Sequence, residues 1–192
     1  MPDVDSKRLF IAVKLPRNII SALEDHQKQL QKCGADAKWV EPRNIHLTLK
    51  FLGSVPAEKI KGLIEELDKL FSAQRSFQVI LFELGCFPAP SSARVIWAGL
   101  EDTGLILKNI ASDIEDSLQK LGFEKENREF KAHATLARIR SGQNRIALIE
   151  KLEELNTGFK KKKFSIDNIT LFESKLSPKG PAYSIIHQVK FK

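Results

Sequence analysis

Two histidines and two threonines carry the chemistry that this sequence offers. His46 and Thr48 stand in I-H-L-T-L-K-F-L-G, Ile45 to Gly53, and His133 and Thr135 in K-A-H-A-T-L-A-R, Lys131 to Arg138. His133 follows His46 by 87 residues, and Thr135 follows Thr48 by the same 87. In the first stretch Ile45, Leu47, Leu49 and Phe51 alternate with His46, Thr48 and Lys50. That period of two predicts a β-strand with one apolar face and one polar face. Residues i and i+2 of a strand point the same way, so each histidine projects together with its threonine.

An imidazole can give or take a proton near neutral pH. A hydroxyl beside it can donate a hydrogen bond to an anionic oxygen. Two such strands facing each other would form a cleft with one histidine on each side. One could accept a proton from water while the other gives one to a leaving oxygen. A phosphodiester suits that cleft, because its attacking and leaving oxygens lie on opposite sides of phosphorus and its free oxygens carry the charge. A single His-x-Thr pair on a strand is more often structural or merely exposed; the repeat at fixed spacing points to a site. His26, in a polar stretch of the first helix, and His187, on the last strand, read as ordinary side chains.

Metal-assisted hydrolysis is the rival chemistry. His46 and His133 lack the short spacing and neighbouring carboxylates of usual zinc or two-metal sites. There is no H-E-x-x-H, no G-K-S/T phosphate loop and no G-x-S-x-G elbow. Acid–base chemistry without metal or cofactor is the simpler account.

The elements that must position these residues alternate along the chain. Arg8 to Leu15 reads as a strand that Pro16 stops, and Ile19, Ile20, Leu23 and Leu30 mark a helix over about 17–33, ended by Gly34. K-W-V and Glu41-Pro42 lead into the first motif strand, and Gly53, Ser54 and Pro56 turn it into a helix over about 57–72. Strands follow at Phe77 to Leu84 and Arg94 to Leu100, then a helix over about 104–121. Phe130 to Ile139 carries the second motif, and a short helix follows near 143–155. Phe164 to Phe172 and Tyr183 to Phe191 read as the last strands, joined by S-P-K-G-P. Strands with one solvated face imply antiparallel or mixed sheets in an α+β arrangement. The recurrence of strand, helix and motif strand in each half implies two related lobes, packed as one body without a flexible linker.

The 192 residues, 42% hydrophobic and 29% charged, suit one soluble bilobal domain spanning 1–192, with twelve Phe to fill its core. No apolar run approaches the ~20 residues of a membrane span, and the polar start M-P-D-V-D-S-K-R lacks the apolar segment of a secretory signal. Cys33 and Cys86 are too few for a disulfide framework or a zinc site. A cytoplasmic protein with reduced thiols is expected. The net charge of +7 favours an anionic partner. The basic run Lys160 to Lys163 reads first as a solvated loop entering a strand, and second as a phosphate-attracting rim.

The chain resembles the 2H phosphoesterase superfamily, and within it the RNA 2′,3′-cyclic phosphodiesterases, long labelled 2′-5′ RNA ligases. The resemblance runs almost end to end: R-L-F-I-A-V, W-V-E-P-R-N-I-H-L-T-L-K-F-L-G, F-P-A-P-S-S-A-R-V-I-W-A-G, F-K-A-H-A-T-L-A-R and L-F-E-S-K-L-S-P-K-G-P-A-Y. It implies an α+β fold of two pseudo-symmetric lobes, each an antiparallel or mixed sheet with helices on its outer face and the active-site groove between them. It also implies metal-independent opening of a 2′,3′-cyclic phosphate to a 2′-phosphate, with no cofactor. By that resemblance His46 matches the proton donor to the departing 3′ oxygen, His133 the acceptor that activates water, and Thr48 and Thr135 the phosphate-holding hydroxyls. One departure is Ala132-His133-Ala134, where the family more often has Pro before the histidine and Leu after. The change bears on strand packing more than on activity.

Arg138 matches an arginine that follows the second motif in that family. Strict alternation puts it on the face opposite His133 and Thr135, so it reaches phosphate only if the strand bulges or the side chain wraps round; otherwise it is structural. Arg94 and Tyr183 are further candidates for the groove rim. The partners implied are RNA ends or nucleotide cyclic phosphates, with no membrane and no metal, and a monomer is expected. Two alternatives stay open: a non-catalytic module that grips RNA ends, and 2′-5′ RNA ligation through the same site.

Overall fold

In the computed structural model, residues 5–178 and 180–192 are described. Met1 to Val4 of the polar start, and Lys179 of the S-P-K-G-P turn, lie outside the described residues. The elements in chain order are β1 (Ser6–Lys14), α1 (Arg17–Gln31), β2 (Ala37–Trp39), β3 (His46–Pro56), α2 (Ala57–Phe71), β4 (Phe77–Phe87), β5 (Val95–Glu101), α3 (Ile106–Lys120), β6 (His133–Ile139), α4 (Arg145–Thr157), β7 (Lys162–Ile166), β8 (Asn168–Ser177) and β9 (Gly180–Lys190). Gly34 stops α1 in the left-handed region at φ 64°, where a residue without Cβ is unstrained. α3 starts at Ile106, two residues later than its apolar pattern predicts, because the Asp102 carboxylate accepts the N–H groups of Ile106 and Leu107.

Among the described residues nine strands form one sheet in which every pairing is antiparallel. The order is β7-β4-β5-β6-β3-β1-β8-β9, with β2 also on β6. The sheet divides at its middle. β3-β1-β8-β9 forms one half and β6-β5-β4-β7 the other, and β3 meets β6 through the single pair Leu47–Ala134. Both residues are fully buried, so Ala134 sits where the two halves touch. Apart from β2, which lies on β6 of the second half, the chain changes halves after α2 and again at Asp167. Helices α1 and α4 pack together, as do α2 and α3, and bury apolar stripes such as Ile19, Leu23 and Leu30 of α1 and Ile110, Ile114 and Leu118 of α3.

The sequence pattern joins Phe164 to Phe172 in one strand; the structure divides it at Asp167 into β7 and β8, which belong to opposite halves. One residue can span them because the half-sheets curl together there, with Ser76 N–H donating to the Lys192 carbonyl and Lys192 N–H to that of Gln74. The Lys160 to Lys163 run is exposed and leads into β7, at the outer end of the sheet order. Lysines on an edge strand discourage pairing with another chain, which fits the solvated reading. Cys33 and Cys86 are free thiols. Among the described residues no helix is long and apolar enough to cross a membrane.

Lys50 ties a motif strand to a helix. It was expected on the polar face of β3, yet it is only 5% exposed. Its ammonium donates to Glu115 of α3 at 2.5 Å and to the Glu124 carbonyl at 2.7 Å. Removing one partner of a buried pair strands the other. Lys50→Ala is therefore expected to cost about 3 kcal/mol in urea unfolding, and Lys50→Met, which still fills the space, less. Equal stability of Lys50→Ala and the native protein would show that water replaces the ammonium.

Candidate active site

Antiparallel geometry around the Leu47–Ala134 pair places the four motif residues. Leu47 and Ala134 point into the core, so their neighbours His46, Thr48, His133 and Thr135 point to the other face. The two His-x-Thr pairs thus stand on adjacent strands, related by an approximate twofold through that pair.

Each imidazole is held in the same way. His46 Nδ1 lies 2.7 Å from the carbonyl of Asn44, and His133 Nδ1 lies 2.6 Å from the carbonyl of Lys131. A carbonyl only accepts, so Nδ1 carries the proton in both rings. Nε2 is left to act as base when the ring is neutral and as acid when it is charged. His46 packs on Phe10 at 4.9 Å between ring centroids and on Tyr183 at 5.4 Å, edge-on. His133 meets Phe87 edge-on at 5.2 Å and Trp97 at 6.4 Å. The indole of Trp97 lies across Gly85, where a Cβ would come within 2.1 Å of it; only glycine allows that approach.

These surroundings lower both histidines from the ordinary imidazole value. For His46 burial dominates, the Asn44 carbonyl opposes it, and the charge of His133 lowers it further. For His133 burial again dominates, the Lys131 carbonyl opposes it, and Arg138 lowers it further. Each histidine stands close enough to a second cationic group to feel its charge. Neither threonine hydroxyl has a hydrogen-bond partner among the described residues, so both are free to donate to a bound group.

Both motif strands bulge at the same place. On β3, Leu49 is an extra residue between the pairs Ile11–Lys50 and Ala12–Thr48. On β6, Leu136 is extra between Ile96–Ala137 and Trp97–Thr135. An extra residue reverses the alternation beyond it. Leu49 and Lys50 are consequently both buried, as are Leu136 and Ala137. Phe51, expected on the apolar face, is 66% exposed. Arg138 turns to the same side as His133 and Thr135 and lines the cavity described below. Phe51 and Arg138 hold equivalent places, again 87 residues apart.

A cavity of about 520 Å³ opens beside these residues. His46, Thr48, Phe51, Thr135, Arg138 and Tyr183 are part of its lining. The cavity is not shared evenly between the halves: its walls include Phe10 of β1 and the β8–β9 hairpin at Leu176 and Pro181, but neither His133 nor Arg94. Arg94 is exposed at the entry to β5 and is fixed by its backbone, which donates to the Phe87 carbonyl and accepts from Ile139 N–H. Burial raises the Tyr183 phenol, while the charges of Arg138 and Arg8 lower it. His26 stacks on Phe159 at 5.1 Å and His187 bonds Asp68 at 2.8 Å, both with partners outside the cavity lining.

Asn44 was not anticipated. It is 8% exposed, its carbonyl orients His46, and its amide donates to the Pro181 carbonyl at 3.0 Å. One residue thereby couples the histidine to the hairpin that walls the cavity. The W-V-E-P-R-N run just before the motif is the only trace of it in the sequence.

The family model for LigT-like phosphoesterases matches residues 13–97 and 101–183. An RNA 2′,3′-cyclic phosphodiesterase of Methanocaldococcus jannaschii is 35% identical over 184 residues, covering 94% of this chain and 99% of its own. One from Archaeoglobus fulgidus is 33% identical over 177 residues, covering 92% and 96%. Among solved structures, TT0787 of Thermus thermophilus superposes with a TM-score of 0.80 at 26% identity, covering 96% of this chain and 97% of that one. Escherichia coli LigT complexed with 3′-AMP gives 0.73 at 23%, covering 97% and 99%, a likeness of fold.

Proposed function

This chain belongs to the LigT-like phosphoesterase family, and from that membership we propose that it hydrolyses the 2′,3′-cyclic phosphate at an RNA end to a 2′-phosphate, as one bilobal domain, without metal or cofactor. The observation that carries the proposal is the pair of imidazoles, each tethered through Nδ1 to a backbone carbonyl and each beside a threonine hydroxyl with no partner among the described residues. The names of the relatives support the substrate.

His133 Nε2 takes a proton from water as the water oxygen bonds to phosphorus. The bond from phosphorus to the 3′ oxygen breaks, and His46 Nε2–H delivers a proton to that oxygen. The phosphate stays on the 2′ oxygen. Thr48, Thr135 and Arg138 hold the non-bridging oxygens. The uneven cavity supports this division of labour. The leaving 3′ oxygen remains part of the ribose, so the nucleoside must lie on the side of the acid. The space for a nucleoside is walled by His46 and not by His133, and water then attacks from the opposite side, roughly in line. Exposed Phe51 offers the base a stacking surface, and Tyr183 another edge of the same cavity. Among the described residues no three His, Cys, Asp or Glu side chains cluster as metal ligands.

Incubation with an oligonucleotide ending in a 2′,3′-cyclic phosphate, in excess chelator, is expected to yield a 2′-phosphate end. A 3′-phosphate product or loss of activity on chelation would overturn the mechanism. Tight binding without turnover would leave only an RNA-end-binding module, and joining to an added 5′-hydroxyl RNA would identify ligation.

A further inference from the structure

The cavity holds more positive charge than a cyclic phosphate needs. Arg8 of β1, Lys38 of β2 and Arg138 of β6 reach it from three strands. None of the three pairs with a carboxylate among the described residues. The one acid in the lining, Glu41, is bonded to Arg43 at 2.6 Å.

Two features make the surplus specific. Lys38 and Arg138 are directly opposite on the antiparallel pair β2–β6, so their side chains leave the sheet on the same face. Like charges so placed repel, and a separate anion beside each removes the cost. Arg8 stands two residues before Phe10 on β1, on the same face, and Phe10 packs against Tyr183 at 4.9 Å between ring centroids, which brings Arg8 to the Tyr183 end of the cavity. A 2′,3′-cyclic phosphate carries one negative charge, and Arg138, which also acts on His133, suffices for it. Arg8 and Lys38 remain for a second anion. A nucleoside in the cavity presents its 5′ oxygen away from the reacting phosphate, and in an RNA that oxygen bears the preceding phosphodiester.

Resting on the phosphodiesterase reading above, we propose that Arg8 and Lys38 form a second anion subsite that holds the phosphodiester 5′ to the terminal nucleotide, and so select oligonucleotide ends over mononucleotides. The subsite is adjacent to the reacting phosphate and takes no part in proton transfer. Its effect falls on substrates with a second phosphate.

The test compares a dinucleotide ending in a 2′,3′-cyclic phosphate with a nucleoside 2′,3′-cyclic phosphate bearing either a 5′-hydroxyl or a 5′-phosphate. For the native protein, kcat/KM is expected to be higher on the dinucleotide. Arg8→Gln and Lys38→Gln are each expected to lower that preference about tenfold, as for loss of a charged hydrogen bond. Each is also expected to reduce the dependence of log kcat/KM on log salt by about 0.7 for the dinucleotide. A 5′-phosphate that restores the full dinucleotide rate would show a terminal-phosphate site and overturn the proposal, as would equal losses on all three substrates. Calorimetric binding of the 2′-phosphorylated products reads the subsite without turnover. If no substrate is hydrolysed, the phosphodiesterase reading fails alone; if the dinucleotide product also binds no tighter than the mononucleotide, the subsite fails too.

Discussion

His133→Ala is expected to lower turnover of a cyclic-phosphate substrate by roughly 10²- to 10⁴-fold, the contribution of a positioned acid or base, and His46→Ala by a similar factor. The two should part on a different substrate. An activated aryl ester of a nucleotide phosphate has a leaving group that needs no proton. On it His46→Ala should recover much of its lost rate, while His133→Ala should not, because water must still be deprotonated. Both imidazoles are held through Nδ1 to a carbonyl two residues earlier, so local tethering does not distinguish them. The assignment of roles rests on the resemblance to the family, and the cavity beside His46 supports it. The reverse rescue would exchange the roles and mean that the nucleoside lies on the other half. Equal losses for both variants on both substrates would count against a separate acid and base.

The pH dependence should be equally large. The acid must be protonated and the base neutral, so kcat/KM should follow a bell, falling about tenfold per pH unit on each limb. Burial against Phe10 and Tyr183 in one half, and Phe87 and Trp97 in the other, favours the neutral ring. Both free-enzyme values thus lie below the ordinary value of about 6.5. The apex lies midway between them whichever is higher, so it should fall on the acid side of about 6.5. Bound phosphate favours the imidazolium, so the kcat profile should move to higher pH than that of kcat/KM. His46→Ala should lose the alkaline limb and leave a rate that rises with pH to a plateau. An apex of kcat/KM above the ordinary imidazole value, or a full bell in His46→Ala, would contradict the assignment.

Much of the site is legible before any folding is considered. Two His-x-Thr pairs 87 residues apart, each on an alternating strand, identify the reacting groups because neighbours two apart on a strand share a face whatever surrounds it. The helices are legible for a similar reason: their apolar stripes at helical spacing place α1, α2 and α3 to within a few residues. Where a carboxylate can cap the first turn, as Asp102 does for α3, the end moves, because capping depends on a side chain reaching back and not on the stripe.

The strand break at Asp167 left a faint trace. The apolar positions packed in the main core slip from Phe164 and Ile166 to Ile169 and Leu171, out of phase by one. A local pattern can record such a slip without saying that the next strand joins the other half of the sheet. The same holds, with more consequence, for the motif strands. Read by alternation alone, Lys50 and Phe51 exchange faces and Arg138 points away from its histidine. The extra residues Leu49 and Leu136 reverse this, burying Lys50 against Glu115 and turning Phe51 and Arg138 into the groove. A bulge is a mismatch in count between two paired strands. It belongs to the pairing of β3 with β1 and of β6 with β5, and no single segment contains it. Asn44 between His46 and Pro181, and a cavity walled by one half more than the other, are likewise products of distant segments meeting. The sequence by itself determined which groups can move protons; the tertiary structure decided what stands around them, because the direction of a side chain past a bulge depends on the strand beside it.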